Sequence, residues 1–371
     1  LAGNWMQIVA ELWLILALTD SGIYVGLATA LQFTGILLFG ALGGALADRF
    51  DKRKLLMISQ TGMAVPALLL FAVVAAGAAQ AWMVLLVIAL RGLVLSVDNP
   101  ARQAFVIEIV GPDRVVNAVG LNSVLVHTAR ITGPAIAGVI IALWGVAPVF
   151  GLNALSFVAM LLALAWMDPR KLSRPDPKRT RGGVREAIRY VAGSRELSVP
   201  LALMAVLGTL GFNFQVIIPI LADRSFDGNV SAYSLLMIAM GIGSITGAVI
   251  FGARNRASKA AIAGAAAGFG IAALLAAAAP TLALEMLALA VLGLCSVTFA
   301  AGINSFLHLT ATTEMRGRVM ALYSIVFLGS TPLGGPLSGW LGESVGPRAP
   351  LVLAGVAALA VAAAAVALWS E

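Results

Sequence analysis

Three charged side chains interrupt stretches of sequence that are otherwise apolar: Glu11, Arg91 and Arg130. A charge near the centre of a bilayer costs about 2.5–3.5 kcal/mol on insertion scales, so one that is retained faces a cavity or a partner. A carboxyl group so placed can take up and release a proton, its neutral form favoured by burial and its ionised form by a nearby cation. Glu11 is therefore the candidate proton carrier and Arg91 the group that tunes it. The same two residues also suit a static buried ion pair. His127 lies three residues before Arg130 and shares a helical face with it, as a second proton-handling candidate or as a packing residue. Other chemistries lack their residues. Cys295 is the single cysteine and His127 and His308 stand far apart, so neither a disulfide framework nor a Cys/His metal site can be assembled. There is no nucleophile elbow, no paired-His motif at metal spacing and no Walker-type glycine loop, which argues against an enzyme and against direct ATP drive. No cofactor is expected.

The elements that must position these residues follow from composition. Of 371 residues, 60% are hydrophobic and 11% charged, against roughly 25% charged in an ordinary soluble domain. The apolar residues run in blocks such as Lys54 to Gly77 and Ala260 to Ala279, and about 20 such residues cross a bilayer as a helix. The 39 Gly and 15 Pro suit membrane helices, where small residues let backbones approach. The pattern predicts an all-α membrane protein with twelve transmembrane helices. Six fall near 1–18, 23–46, 54–77, 81–98, 115–143 and 147–167, and six near 199–222, 232–252, 260–279, 281–305, 319–341 and 349–369. The polar stretch between the sets reads as a linker, giving a six-helix bundle over 1–167, a linker over 168–198 and a second bundle over 199–371. Since the chain opens on Leu1 with a first block short at its front end, a preceding stretch is expected rather than a cleaved signal peptide.

Charge fixes the orientation. If alternate loops are assigned to alternate sides, Arg224 and Arg348 fall on one side and Arg91 and Arg130 within spans. All the rest of the 24 Lys and Arg fall on the other side, nine of them in the linker between Arg170 and Arg195. By the positive-inside rule that side is cytoplasmic, with both termini and the linker. The net charge of +7 is thus a topology signal and not a nucleic-acid patch. Glu11 and Arg91 then lie about 7 and about 10 residues from the outer ends of their spans, a depth difference of roughly 4–5 Å, close enough to pair. A repeat supports two halves: Gly133-Pro134-Ala135-Ile136-Ala137-Gly138 in span 5 returns as Gly335-Pro336-Leu337-Ser338-Gly339 in span 11. In each case an arginine, Arg114 or Arg316, sits 19 residues before the Gly-Pro.

The loop between spans 2 and 3, Gly44-Ala45-Leu46-Ala47-Asp48-Arg49-Phe50-Asp51-Lys52-Arg53, resembles the signature loop of the major facilitator superfamily, with Asp51 where a Gly is usual. Arg91 resembles the buried arginine of that superfamily's fourth-helix motif, and Gly133-Pro134 its exporter motif in the fifth helix. Asn4-Trp5-Met6-Gln7, Asp98-Asn99-Pro100-Ala101-Arg102-Gln103 and Leu152-Asn153-Ala154 look like the enterobactin-exporter-like subgroup of drug and siderophore exporters. The loop from Arg254 to Lys259 lacks the acid of the signature. The resemblance implies the major facilitator fold and a monomeric secondary transporter in the cell membrane, exporting a small amphipathic molecule in exchange for protons. A proton-independent facilitator or importer, or a sensor on a transporter scaffold, is the alternative. Gating is expected at Asp48, Arg49, Asp98, Arg102, Gly133 and Pro134. Gln7, Asn122, Asn213, Gln215, Asn304 and Tyr323 are candidate substrate-cavity residues, with Phe212, Phe214 and Phe327 as apolar walls; interhelical hydrogen bonding and packing also explain them.

Overall fold

The computed structural model describes residues 1–110, 115–168, 184–226, 228, 230–254, 258–312 and 315–370, and among these the regular structure is all helix. Eleven stretches of them are long and apolar enough to cross a bilayer, and the apolar Thr132–Trp144 belongs to the helix at the place of the expected fifth span. Large apolar side chains stand on outward faces, Trp166 at 83% exposure and Ile58 at 70%, as lipid requires and water would penalise. The chain forms two compact units, Leu1–Asp20 with Ala30–Thr180 and Ser21–Thr29 with Arg181–Glu371.

The first unit holds α1 (Ala2–Thr19), α2 (Gly22–Arg49) from Ala30 onward, α3 (Lys52–Ala75), α4 (Ala81–Val110), α5 (Val115–Trp144) and α6 (Ala147–Trp166). Helix α1 packs against α4, α5 and α6, and α3 against α4 and α6. It stops at Asp20, whose left-handed backbone (φ 48°, ψ 31°) lets its N–H reach the Leu16 carbonyl. The Asp51 that departs from the usual glycine has a local reason: it is the N-cap of α3, and its carboxylate accepts the Lys54 N–H at 3.1 Å.

Helix α4 runs twelve residues past the expected end at Asp98, straight through Pro100 to Val110. A proline in a helix cannot donate to the carbonyl four residues back, here Ser96. That carbonyl oxygen is where α2 approaches, at Gly43, whose missing Cβ would overlap it. The tight approach of α2 is thus made by Gly43, while Gly44, which opens the signature loop, has open space where a Cβ would go.

The second unit holds α7 (Val184–Ala192), α8 (Arg195–Gly211), α9 (Phe214–Ser225), α10 (Val230–Arg254), α11 (Lys259–Ala278), α12 (Leu282–Thr310), α13 (Arg316–Gly329), α14 (Thr331–Ser344) and α15 (Ala349–Ser370), with the opening turns of α2. Helices α10 and α11 pack on α12, α15 on α11 and α8, and α13 and α14 on α8. The region expected as linker carries the amphipathic α7, which buries Ala187 and Val191 and pairs Glu186 with Arg318 at 2.8 Å. The linker residues 169–183, with Arg170, Lys171, Arg174, Lys178, Arg179 and Arg181, lie outside the described residues.

Two expected continuous spans are broken. The seventh divides at Phe212 and Asn213, between α8 and α9, and the eleventh at Ser330, between α13 and α14. Side chains take up carbonyls at both breaks: Asn213 Nδ2 donates to Thr209 O at 2.7 Å, and Ser330 Oγ to Phe327 O at 2.7 Å. The breaks lie against each other, since Gly208 faces Ser330 and Gly334 faces Thr209 and Asn213 too closely to admit a Cβ.

Candidate functional site

Helices α1, α2, α4 and α6 each bring one or two polar side chains into the apolar interior of the first unit. Glu11 accepts from Arg91 Nη2 through Oε2 at 2.5 Å and from Gln7 Nε2 through Oε1 at 2.6 Å. Arg91 Nη2 also reaches Gln32 Oε1 at 3.2 Å, and Asn153 Nδ2 donates to Gln7 Oε1. All five are buried, Glu11 and Asn153 the most completely. Gln7 and Glu11 share a face of α1 because they are four residues apart, and Gly92 brings the α2 backbone beside Gln32 onto α4. The network is nearly closed; Arg91 Nε is its one buried polar atom without a partner among the described residues. Its chemistry is a carboxylate that can exchange one proton, held by a cation and an amide.

Towards the other end of α4 lies a second charged cluster. Asp98 is buried and accepts from Ser59 Oγ at 2.6 Å, from Gln60 Nε2 at 2.7 Å and from Arg102, whose Nε and Nη2 lie 3.1 and 2.9 Å away. Nearby, Lys52 pairs with the buried Glu108 at 3.1 Å, and Arg53 caps the end of α6 by donating to Leu164 O and Ala165 O at 2.6 and 2.9 Å. The bases of the signature loop therefore tie α3 to α4 and α6. Arg49 is exposed. The side chains of Asp48, Asn122, His127 and Arg130 lie outside the described residues. Gly133 packs onto α1, where a Cβ would come 2.5 Å from Trp5 Cβ and 2.9 Å from Ala2 O, and Pro134 follows it inside α5.

In the second unit the α8–α9 break is lined by rings. Phe212 stacks on Phe269 with centroids 5.6 Å apart and meets Phe327 edge-on at 5.7 Å, while Tyr323 stacks on Phe327 at 6.0 Å. Beside them Asn213 Oδ1 and Gln215 Oε1 are buried without hydrogen-bond partners among the described residues. The Tyr323 hydroxyl donates to Ala300 O at 3.2 Å and shares a hydrogen bond with Asn304. Of the six substrate-cavity candidates, Gln7 is engaged by Glu11 and Asn153, whereas Asn213, Gln215, Asn304 and Tyr323 all belong to the second unit.

Sequence reasoning missed several members. Gln32 and the adjacent Ser59 and Gln60 are uncharged side chains within apolar spans, which hydropathy treats as background, and Asn153 entered only as part of a subgroup motif. Glu285, fully buried in the first turn of α12, was hidden by its place near a span end, where an acid reads as wet.

Comparison with known proteins agrees with this architecture. Residues 1–369 match the model of the family described as transmembrane secretion effector. The chain is 27% identical over 256 residues to the staphyloferrin A transporter of Staphylococcus aureus, an alignment that spans 67% of this chain and only 63% of that protein. It is 26% identical over 382 residues to the multidrug efflux pump Tap of Mycolicibacterium fortuitum, covering 96% and 92% of the two chains. Among solved structures it resembles a bacterial homologue of the human lysosomal transporter Spinster, with a TM-score of 0.77, 14% identity and coverage of 100% and 95%.

Proposed function

This chain belongs to the transmembrane secretion effector family of the major facilitator superfamily, which makes it a multi-pass membrane transporter and not an enzyme, and from that premise we propose that it exports a small amphipathic molecule by alternating access, driven by protons moving inward. The observation that carries the coupling is the buried Glu11–Arg91 pair, fed by Gln7 and Gln32. Protonation of Glu11 releases Arg91, and the released cation and neutral acid favour a different arrangement of α1 against α4. Coupling needs such a differential interaction between two states, not merely a charge in the membrane.

The substrate class follows from the second unit and from the relatives. Stacked rings around Phe212 and Phe327 offer apolar contact, and Asn213 Oδ1 and Gln215 Oε1 are acceptors waiting for a donor. Helix breaks at membrane depth suit ligand recognition, because they free backbone groups where a substrate can meet them. A siderophore transporter and a multidrug efflux pump among the relatives suit a ligand with rings or apolar arms and polar donors. The reading places the protein as a monomer in the cell membrane, with both termini and the linker cytoplasmic, the two six-helix bundles as its moving parts and the Asp48, Arg49, Asp98, Arg102 and Gly133-Pro134 regions as its gate.

The test is transport by the purified full-length chain in liposomes, with a panel of cationic dyes, macrolides and carboxylate siderophores. A pH gradient, inside acid, should drive uphill accumulation of at least one compound by chains whose cytoplasmic face points outward. Equilibration without accumulation would identify a facilitator instead.

A further inference from the structure

Glu285 stands apart from every group used so far. Its side chain is fully buried in the first turn of α12, and among the described residues neither carboxylate oxygen has a hydrogen-bond partner. The facing cation is Arg348, whose Nη1 lies 3.7 Å from Oε2 while also donating to Ala276 O and Ala277 O at the end of α11, at 3.3 and 3.0 Å. The charged and titratable groups on the elements packed around α12 are Tyr233 and Arg254 on α10, Lys259 on α11, Arg195 and Glu196 on α8, and Arg316, Arg318 and Tyr323 on α13. Cys295 and His308 lie further along α12 itself. The Arg254 side chain lies outside the described residues; among the described groups, the one that bears electrostatically on Glu285 is Arg348.

The contrast with Glu11 is instructive. There two donors at 2.5 and 2.6 Å satisfy both carboxylate oxygens. At Glu285 an anion is taken out of water with no donor and a shared, more distant cation, an arrangement that leaves most of its desolvation uncompensated. A proton is the ligand that removes the difficulty, because it neutralises the carboxylate. Arg348, itself 30% exposed, is also held by two carbonyls at the end of α11, and connects the site to the membrane face on which it lies.

We propose that Glu285 is a second proton-binding site, in the second unit, loaded from the membrane face that carries Arg348 and separate from the Glu11–Arg91 pair. Its role in transport rests on the exporter reading above, but the binding itself does not, and the experiment reads binding alone. The full chain in lipid, without substrate, is titrated and followed by infrared spectroscopy in the carbonyl-stretch region of protonated carboxyls. A band of a carboxyl in an apolar setting is expected, lost in Glu285→Gln and retained in Glu11→Gln. Arg348→Gln, which keeps the acid, should retain that band at a shifted frequency because the facing cation is gone, and this arm decides the matter if Glu285→Gln does not fold. A band unaffected by both changes, or a band seen only when sodium is removed, would overturn the assignment. Loss of the band in Glu285→Gln with no gradient-driven transport in the wild type would uphold the site and reject the coupling.

Discussion

Arg91 and Glu11, eighty residues apart in the chain, meet at 2.5 Å with side chains that are 3% and 1% exposed, and so α4 is joined to α1 by a charge pair inside the apolar part of the first unit. Two ions removed from water are expensive, and their attraction compensates only when the remaining lone pairs and protons are also bonded. Gln7 and Gln32 do that on either side. The pair is therefore sensitive to the loss of either partner, which is a property a proton switch needs.

Replacing Glu11 by Gln leaves a buried guanidinium facing a neutral amide. Removing one partner of a buried pair costs about 3–5 kcal/mol, so Glu11→Gln should lower the thermal midpoint in detergent, and Arg91→Gln should do the same. The double variant should lose clearly less than the sum, because no orphan charge remains. If proton exchange runs through Glu11, Glu11→Gln also abolishes accumulation against a gradient while exchange of labelled substrate persists. Additive thermal losses would show that the contact is not a coupled pair, and unchanged uphill transport would move the proton site elsewhere.

The adjacent glycines of the signature region should answer differently to the same change. A methyl at Gly43 meets the Ser96 carbonyl, whereas Gly44 faces open space. Overpacking a close helix contact costs about 1–3 kcal/mol, and alanine in place of an open helical glycine gains up to about 1 kcal/mol. Gly43→Ala should thus reduce folded yield and thermal stability, while Gly44→Ala should be neutral or stabilising. Equal effects would mean that α2 and α4 do not meet as described.

The sequence and the structure agree where long-range hydrophobicity decides and diverge where one backbone bond does. Blocks of apolar residues punctuated by arginines place the spans, and the depths of Glu11 and Arg91 in theirs are enough to bring them together. The breaks at Phe212-Asn213 and Ser330 are silent in hydropathy, since Phe, Leu and Gly continue the apolar run while one amide or hydroxyl takes up a carbonyl. The fourth span diverges in the opposite direction: the expected span ends at Asp98, yet the helix continues through Pro100, with Gly43 letting α2 occupy the freed Ser96 carbonyl side. Which of two neighbouring glycines makes a contact is a question of helical phase, and a motif does not contain it.

Orientation can be read by chemistry. Cys295 is buried, so a Cys295→Ser background can receive single cysteines at exposed turns. Ala78, in the turn between α3 and α4, should react with an impermeant thiol reagent added to intact cells, and Ser258, the N-cap of α11, should not react until the membrane is opened. The reverse pattern would place the basic loops outside and overturn the positive-inside assignment.

The last expectation concerns Asp98, which has four donor contacts from three side chains on α3 and α4. In Asp98→Asn the amide oxygen still accepts from Ser59 and Gln60, so most of the α3–α4 contact survives. What is lost is the charge that holds Arg102, a side chain already 25% exposed, and water can take its place. Hydrogen bonds to charged groups contribute about 1.5–3 kcal/mol, and partial solvation puts this loss at the lower end. Such a change is small for folding and large for an equilibrium between two transport states balanced within a few kcal/mol, where 1.4 kcal/mol is about tenfold in population. Asp98→Asn should therefore change the turnover rate several-fold while substrate affinity, measured by binding to the purified protein, stays within about twofold. Arg102→Gln should reproduce the rate effect, and the double variant should add little to either. A rate effect in Asp98→Asn that Arg102→Gln does not share would assign the role to the α3 contacts with Ser59 and Gln60 instead of the charge pair.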